Sequence, residues 1–344
     1  MKTIRQSVLT LTAAGLAAVV SFGGASAQGS LTVYCSVQEE WCQGMVNAFQ
    51  AATGITVSMT RKSSGETYAQ VAAEAANPRG DIWWGGTGDP HLQAAEEGLT
   101  EAYESPNLSQ LHPWAIAQHE TGKGATVGVY LGVLGFGYNT DLLATKKLPE
   151  PKCWADLVKP EYKGEVQVAN PNSSGTAYTF IATMVQLLGE DEAFKYLKAL
   201  NANINQYTKS GAAPGQAAAR GETLIGIVFQ HDIINPAITT GAPLNTVSPC
   251  EGTGFEVGSM SIIKGAPNLD NAKKWYDWAL TVDAQKIGAA TNQFQFPSNK
   301  DAPIPEQSPK MADIKLIDYD FAKYGSSDER KRLLSKWDTE IGAN

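Results

Sequence analysis

Asp81-Ile82-Trp83-Trp84-Gly85-Gly86-Thr87-Gly88 reads as a short buried strand that runs straight into a loop of glycine and hydroxyl. An apolar run of this length with aromatic and β-branched members is a strand signal, and the glycines mark its end. A helix is expected next, over 91–97. The same unit stands twice before it. Leu31-Thr32-Val33-Tyr34 leads to a helix over 38–53, stopped by Gly54. Ile55-Thr56-Val57-Ser58-Met59 leads to a helix over 64–77, stopped by Pro78-Arg79-Gly80. Strands that alternate with helices predict an α/β fold with a mostly parallel sheet. In such sheets ligands sit over the loops that follow the strands.

Further along, 126–138 is a long β-type run broken by glycines. It reads either as a bent strand passing between two domains or as one twisted strand with bulges. The pattern then restarts, with a short helix at 154–158, a strand at 166–169 and a turn at 170–176. Helices over 177–188, 191–201 and 214–220 and an apolar strand at 225–229 follow. Pro236 is expected to interrupt any helix after that strand. The chain is expected to return to the first domain at 256–263, with helices at 272–280 and 283–290. A tail with helices near 311–314 and 327–341 is expected to pack on the second domain. Two α/β lobes around a hinged cleft result, lobe 1 from 28–135 plus 257–300 and lobe 2 from 136–256 plus 301–344.

Bulk properties bound the function. Lys2 and Arg5 precede the apolar stretch 8–22, and Ala25-Ser26-Ala27 has the small residues of a cleavage site. Residues 1–27 therefore read as a secretory signal peptide, and the mature chain is expected to work in the periplasm. Cleavage after Ala27 would leave 317 of the 344 residues, enough for two domains. It would also leave 25 basic against 35 acidic residues, a formal charge of −10. That disfavours nucleic acid as a partner but leaves room for a small anion in a local pocket. The four cysteines are Cys35, Cys42, Cys153 and Cys250. In an oxidising compartment, 35–42 and 153–250 is the simplest of three pairings. The spacings match no common zinc pattern, so no metal is expected.

Serine, threonine and glycine gather after the predicted strands, at Ser36, Ser63-Ser64-Gly65, Thr87-Gly88 and Ser173-Ser174-Gly175-Thr176. Helix starts carry unpaired N–H groups and a positive dipole end. With hydroxyls beside them they can hold phosphate. A single cluster of this kind is usually no more than a helix cap. His231 and Asp232 follow the strand at 225–229, and Glu256 opens the return strand. These groups suit hydroxyl or amine ends of a ligand. Glu251, Arg61 and Tyr34 are further possible contacts. Trp83, Trp84 and Tyr178 supply aromatic area near the same loops. No Gly-x-Ser-x-Gly elbow, His-Glu-x-x-His helix or Gly-rich nucleotide loop is present, so an enzyme is not expected.

Several segments together resemble the ferric-iron-binding type of periplasmic substrate-binding protein, a type II periplasmic binding fold serving ABC importers. They include Gly80-Asp81-Ile82-Trp83-Trp84-Gly85-Gly86, Gly135-Phe136-Gly137-Tyr138-Asn139, Trp154-Ala155-Asp156-Leu157, Ser174-Gly175-Thr176 and Ile262-Ile263-Lys264-Gly265-Ala266-Pro267-Asn268. The resemblance implies a monomer without a cofactor that closes on one solute and delivers it to an inner-membrane permease driven by an ATPase. Iron-binding members carry adjacent tyrosines after the strand that here ends at Phe229. This chain has Gln230-His231-Asp232 there, a poor ferric site. His231-Asp232 with Glu256 resembles the branch that binds hexose phosphates such as glucose 6-phosphate. The resemblance implies that His231, Asp232 and Glu256 contact the sugar. It makes Ser36, Ser64, Thr87, Ser174, Gly175 and Thr176 candidates for the phosphate, and Ser63 is a further possible contact beside them. The alternatives are 2-aminoethylphosphonate or inorganic phosphate, then ferric iron, polyamines or organic acids, or hydrolysis of a phosphate ester.

Overall fold

The computed structural model describes residues 29–342. The expected signal peptide at 1–27 lies outside them. The first lobe begins with β1 (Ser30–Cys35), α1 (Glu39–Thr53), β2 (Thr56–Arg61), α2 (Ser64–Ala73), β3 (Ile82–Trp84), α3 (Gly88–Glu96), β4 (Thr100–Glu101) and α4 (Pro113–Thr121). β5 (Val127–Asn139) then leads to α5 (Thr140–Lys146), β6 (Val166–Ala169), α6 (Gly175–Leu188), α7 (Glu190–Asn201), β7 (Ile204–Thr208), α8 (Ala213–Ala219), β8 (Ile225–Phe229), α9 (His231–Thr239) and β9 (Leu244–Val247). The chain returns through β10 (Phe255–Ile263), α10 (Leu269–Ala279), α11 (Val282–Ala290) and β11 (Phe296–Pro297). It finishes with α12 (Phe321–Tyr324) and α13 (Ser327–Trp337). Among the described residues no helix is long and apolar enough to cross a membrane.

Two mixed sheets share one strand. In the first, β2, β1 and β3 run parallel, and β10 lies antiparallel between β3 and β5. In the second, β7, β6 and β8 run parallel, and β5 lies antiparallel beside β8 and β9. β5 pairs with β10 through Val133 and with β8 from Leu134 onward, so it is the bent strand of the two readings. Its glycines let neighbours approach. A Cβ on Gly132 would stand 2.7 Å from the Glu256 carboxyl and 2.8 Å from the His231 ring.

Each sheet carries its own core. Leu31, Val33, Trp41, Phe49 and Trp275 are buried in the first. Phe136, Trp154, Tyr178 and Phe180 are buried in the second, joined by Tyr324, Leu333 and Trp337 from the tail. Full burial of one such side chain stabilises by about 1.5–3 kcal/mol. α1 shows how the sequence sets an element. Trp41, Met45, Val46 and Phe49 recur at helical spacing and are buried, and Gly54 ends the helix with φ 70°, its N–H bonded to the Gln50 carbonyl.

Cys35 is bonded to Cys42 and Cys153 to Cys250. The first bridge ties the end of β1 to the first turn of α1 and so holds the Ser36–Gln38 loop. Several expectations change, and α2 ends at Ala73 rather than at 77. α3 starts at Gly88 rather than at 91, with Thr87 as its N-cap residue. α9 runs through Pro236 to Thr239. Pro236 has no N–H to give the Asp232 carbonyl, and Thr240 closes the helix by donating to the Pro236 carbonyl at 3.1 Å. The sequence reading also passed over β4, α4, α5, β7, β9, β11 and α12, whose shortness or polar residues blur any period.

Candidate ligand-binding site

The carboxyl ends of the parallel strands in both sheets point at one cavity of about 390 Å³, counting its open mouth. Ser36, Ser63, Ser64, Thr87, Ser174, Gly175, Thr176, His231, Asp232, Glu256 and Arg61 all line it. α2, α3 and α6 begin there, each longer than two turns.

The hydroxyl end is tightly built. Ser36 Oγ accepts from Trp83 Nε1 at 3.0 Å and shares a 2.9 Å hydrogen bond with Thr67 Oγ1. Ser64 Oγ accepts from the Thr87 N–H at 3.1 Å. Gly86 has φ 85°, and a Cβ there would collide with Ser64 Oγ at 2.3 Å, so glycine is required by both backbone and space. Its N–H donates to Tyr130 Oη at 2.9 Å. Thr87 Oγ1 is buried with no partner. Ser174 caps α6 by accepting from the Ala177 N–H.

The acid end is buried, with His231, Asp232 and Glu256 each at most 5% exposed. His231 and Asp232 open α9, with Nε2 and Oδ2 3.7 Å apart. Burial lowers the His231 pKa to about 3, so the ring is neutral near pH 7 and the two do not form an ion pair. Burial raises Asp232 to about 7, against the lowering effects of a Gln38 hydrogen bond and the Arg61 charge. Glu256 is pushed well above the usual carboxylate range, first by burial and then by the charges of Asp232 and Asp89.

Side chains and backbone meet across the cleft. Gln38 Nε2 donates to Asp232 Oδ1. Arg61 donates through Nε to the Val37 carbonyl at 2.8 Å and through Nη2 to Ser210 Oγ at 3.4 Å. The Gly65 N–H donates to the Ser173 carbonyl at 3.0 Å. At the lips, Asn235 Nδ2 donates to the Asn292 carbonyl at 2.7 Å. The lobes stand closed.

Two sequence candidates fall elsewhere. Tyr34 donates to Glu74 Oε2 at 2.7 Å and is buried with Val71 and Trp83, away from the cavity. Glu251 accepts from the N–H groups of Trp154 and Ala155, both at 2.9 Å, and so caps the short helix 154–158. It also lies beside Cys153 and Cys250, but those sulfurs are bonded to each other and offer no metal ligand. The aromatic candidates Trp83, Trp84 and Tyr178 are core residues. Tyr130 and Phe229 line the cavity instead. Gln38 and Gln295 line it too, and the sequence reading missed both.

A bilobed α/β molecule whose polar cavity is walled by both lobes has the type II periplasmic-binding-protein architecture, that of a solute receptor. The chain belongs to the bacterial extracellular solute-binding protein family, whose profile matches residues 87–324. A protein of Haemophilus influenzae is 48% identical over 336 residues, covering 96% of this chain and 95% of its own. The structure of the periplasmic binding protein AfuA from Actinobacillus pleuropneumoniae, with exogenous fructose-6-phosphate bound, matches with a TM-score of 0.89 at 48% identity. That match covers 92% of this chain and 100% of AfuA. The periplasmic binding protein P5PA matches at 0.88 and 40% identity, covering 91% and 100%. This chain is thus a periplasmic, non-catalytic binding component of an ABC import system.

Proposed function

We propose that the protein captures a hexose phosphate such as glucose 6-phosphate and carries it to an inner-membrane permease with its ATPase. The observation behind this reading is the division of one cavity into two ends. Hydroxyls and the starts of α2, α3 and α6 lie at one end, with His231, Asp232 and Glu256 at the other. Three helix starts aimed at one place favour an anion, each carrying roughly half a positive charge. Ser36, Ser63, Ser64, Thr87, Ser174, Gly175 and Thr176 hold the phosphate. His231, Asp232 and Glu256 take the sugar hydroxyls, and Arg61 offsets charge between the ends. Fructose-6-phosphate in the AfuA structure supports the same ligand class. Residues 28–135 with 257–300 and 136–256 with 301–344 are the bodies that close, after removal of a signal peptide at 1–27.

A second reading is 2-aminoethylphosphonate, favoured by the paired acids Asp232 and Glu256, which could receive an ammonium group. Putative 2-aminoethylphosphonate-binding proteins of Salmonella are 27% identical over 257 residues.

Isothermal titration decides between them. Wild-type protein is titrated with glucose 6-phosphate, fructose 6-phosphate, 2-aminoethylphosphonate and inorganic phosphate. The expected order puts a hexose phosphate first. Asp232→Ala should weaken the hexose phosphate at least tenfold more than inorganic phosphate, and equal losses would remove the role given to Asp232. A wild-type protein that binds no hexose phosphate would remove the function itself.

A further inference from the structure

We propose that Gln295 and Gln38 are specificity-determining residues, whose amide carbonyls accept from ligand hydroxyls and make the acid end select a polyol over an ammonium group. This rests on the two-ended reading above.

Gln295 sits in the loop ahead of β11, only 4% exposed, and lines the cavity. Its Oε1 has no hydrogen-bond partner. A buried carbonyl without a donor is costly to leave so, and a bound donor would relieve it. Behind Gln295 lies a largely apolar hollow lined by Trp41, Trp84 and Pro297. The indole N–H groups of Trp41 and Trp84 also lack acceptors, so the Gln295 carbonyl is not turned onto them. Gln295 lines the polar cavity as well, where a ligand hydroxyl would be its donor.

Gln38 makes the same point from α1. Its amide nitrogen is committed across the cleft to Asp232, which fixes the amide orientation. The carbonyl at the other side of that amide is buried and unpartnered. Both glutamines come from the first lobe, while His231 and Asp232 come from the second. A ligand with several hydroxyls would therefore join the lobes at this end. An ammonium group gains less. Asp232 is already served by Gln38 and lies near Arg61, and burial favours the neutral form of Glu256. The remaining acceptors are neutral carbonyls, which take O–H donors but offer a buried ammonium group no compensating negative charge.

The test uses Gln295→Met and Gln38→Met in the full protein, titrated with glucose 6-phosphate, inorganic phosphate and 2-aminoethylphosphonate. Gln295→Met should weaken glucose 6-phosphate about tenfold, the ordinary effect of one hydrogen bond, and inorganic phosphate less than about threefold. Gln38→Met should weaken both, because it also removes a cross-cleft contact, with the larger loss for the sugar phosphate. Unchanged glucose 6-phosphate affinity in both variants overturns the proposal. Equal losses for the two ligands in Gln295→Met also overturn it. A wild-type preference for 2-aminoethylphosphonate over glucose 6-phosphate overturns the selectivity. A wild-type protein that binds phosphate but no sugar phosphate overturns the proposed function, a separate outcome.

Discussion

Asp232 carries a pKa of about 7 because burial outweighs its hydrogen bond from Gln38 and the charge of Arg61. Ligand hydroxyls that donate to it favour its ionised form. Binding would then release a proton below about pH 7, so affinity rises with pH up to that value and levels off above it. Between pH 7.5 and 6, hexose-phosphate affinity should fall by about eightfold beyond the fall set by the ligand's own phosphate ionisation. Titration calorimetry at the two pH values checks this, and Asp232→Asn should abolish the excess. At this scale much of the site was legible. Small hydroxyl residues after apolar strands stand out because few other residues suit a loop that must both end a strand and start a helix. Gln38 and Gln295 did not stand out. A glutamine has no positional signature, and only its burial without a partner marks it. Tyr34 was misplaced because alternation along β1 turns it toward Glu74, away from the cavity.

Helix starts facing each other across the cleft leave little tolerance. A Cβ on Gly175, at the start of α6, would lie 1.9 Å from Thr87 Oγ1 at the start of α3. Gly175→Ala should therefore prevent full closure. Ligand affinity is expected to drop at least about 100-fold, and small-angle scattering should show a larger radius of gyration than wild type. The bridges act on different lengths of chain. Cys153–Cys250 spans 97 residues and Cys35–Cys42 spans 7. Loop-closure entropy assigns roughly 4–5 kcal/mol to the first and about 2–3 kcal/mol to the second. Urea denaturation of Cys153→Ser with Cys250→Ser, against Cys35→Ser with Cys42→Ser, should rank them in that order. Strong strands and long helices were readable in the sequence because their apolar residues keep a period. β7 was not, since its Ile-Asn-Gln-Tyr-Thr lies half exposed at a sheet edge. α9 was not either, because one proline outweighed a helix that continues through it to Thr239.

The whole molecule is joined by more than its shared strand. Arg330 on α13 is 2% exposed, lies over the Tyr178 ring at 3.9 Å and donates to Gln93 of α3 at 2.9 Å. Its charge lowers the pKa of buried Asp89, which burial nevertheless raises to about 6. Beside it the Ser327 N–H donates to Glu96 at 2.7 Å, and Lys331 pairs with Glu97 at 2.7 Å. The tail thus grips a helix of the first lobe while its apolar face lies in the second. Arg330→Met should cost about 1–3 kcal/mol in urea unfolding, because it removes the hydrogen bond to the Gln93 carbonyl, the contact with the Tyr178 ring and the charge that favours ionised Asp89. The packing of the tail on the second lobe was expected from sequence. Its hold on α3 was not, since a buried arginine in a charged helix looks like any exposed one. One contact has a practical use. Asn235 and Asn292 touch at the lips of the cleft, one on each lobe and both at least partly open to solvent. A donor dye at one and an acceptor dye at the other would turn each opening of the receptor into a change of colour. The purified protein would then report the capture of its own cargo, one molecule at a time.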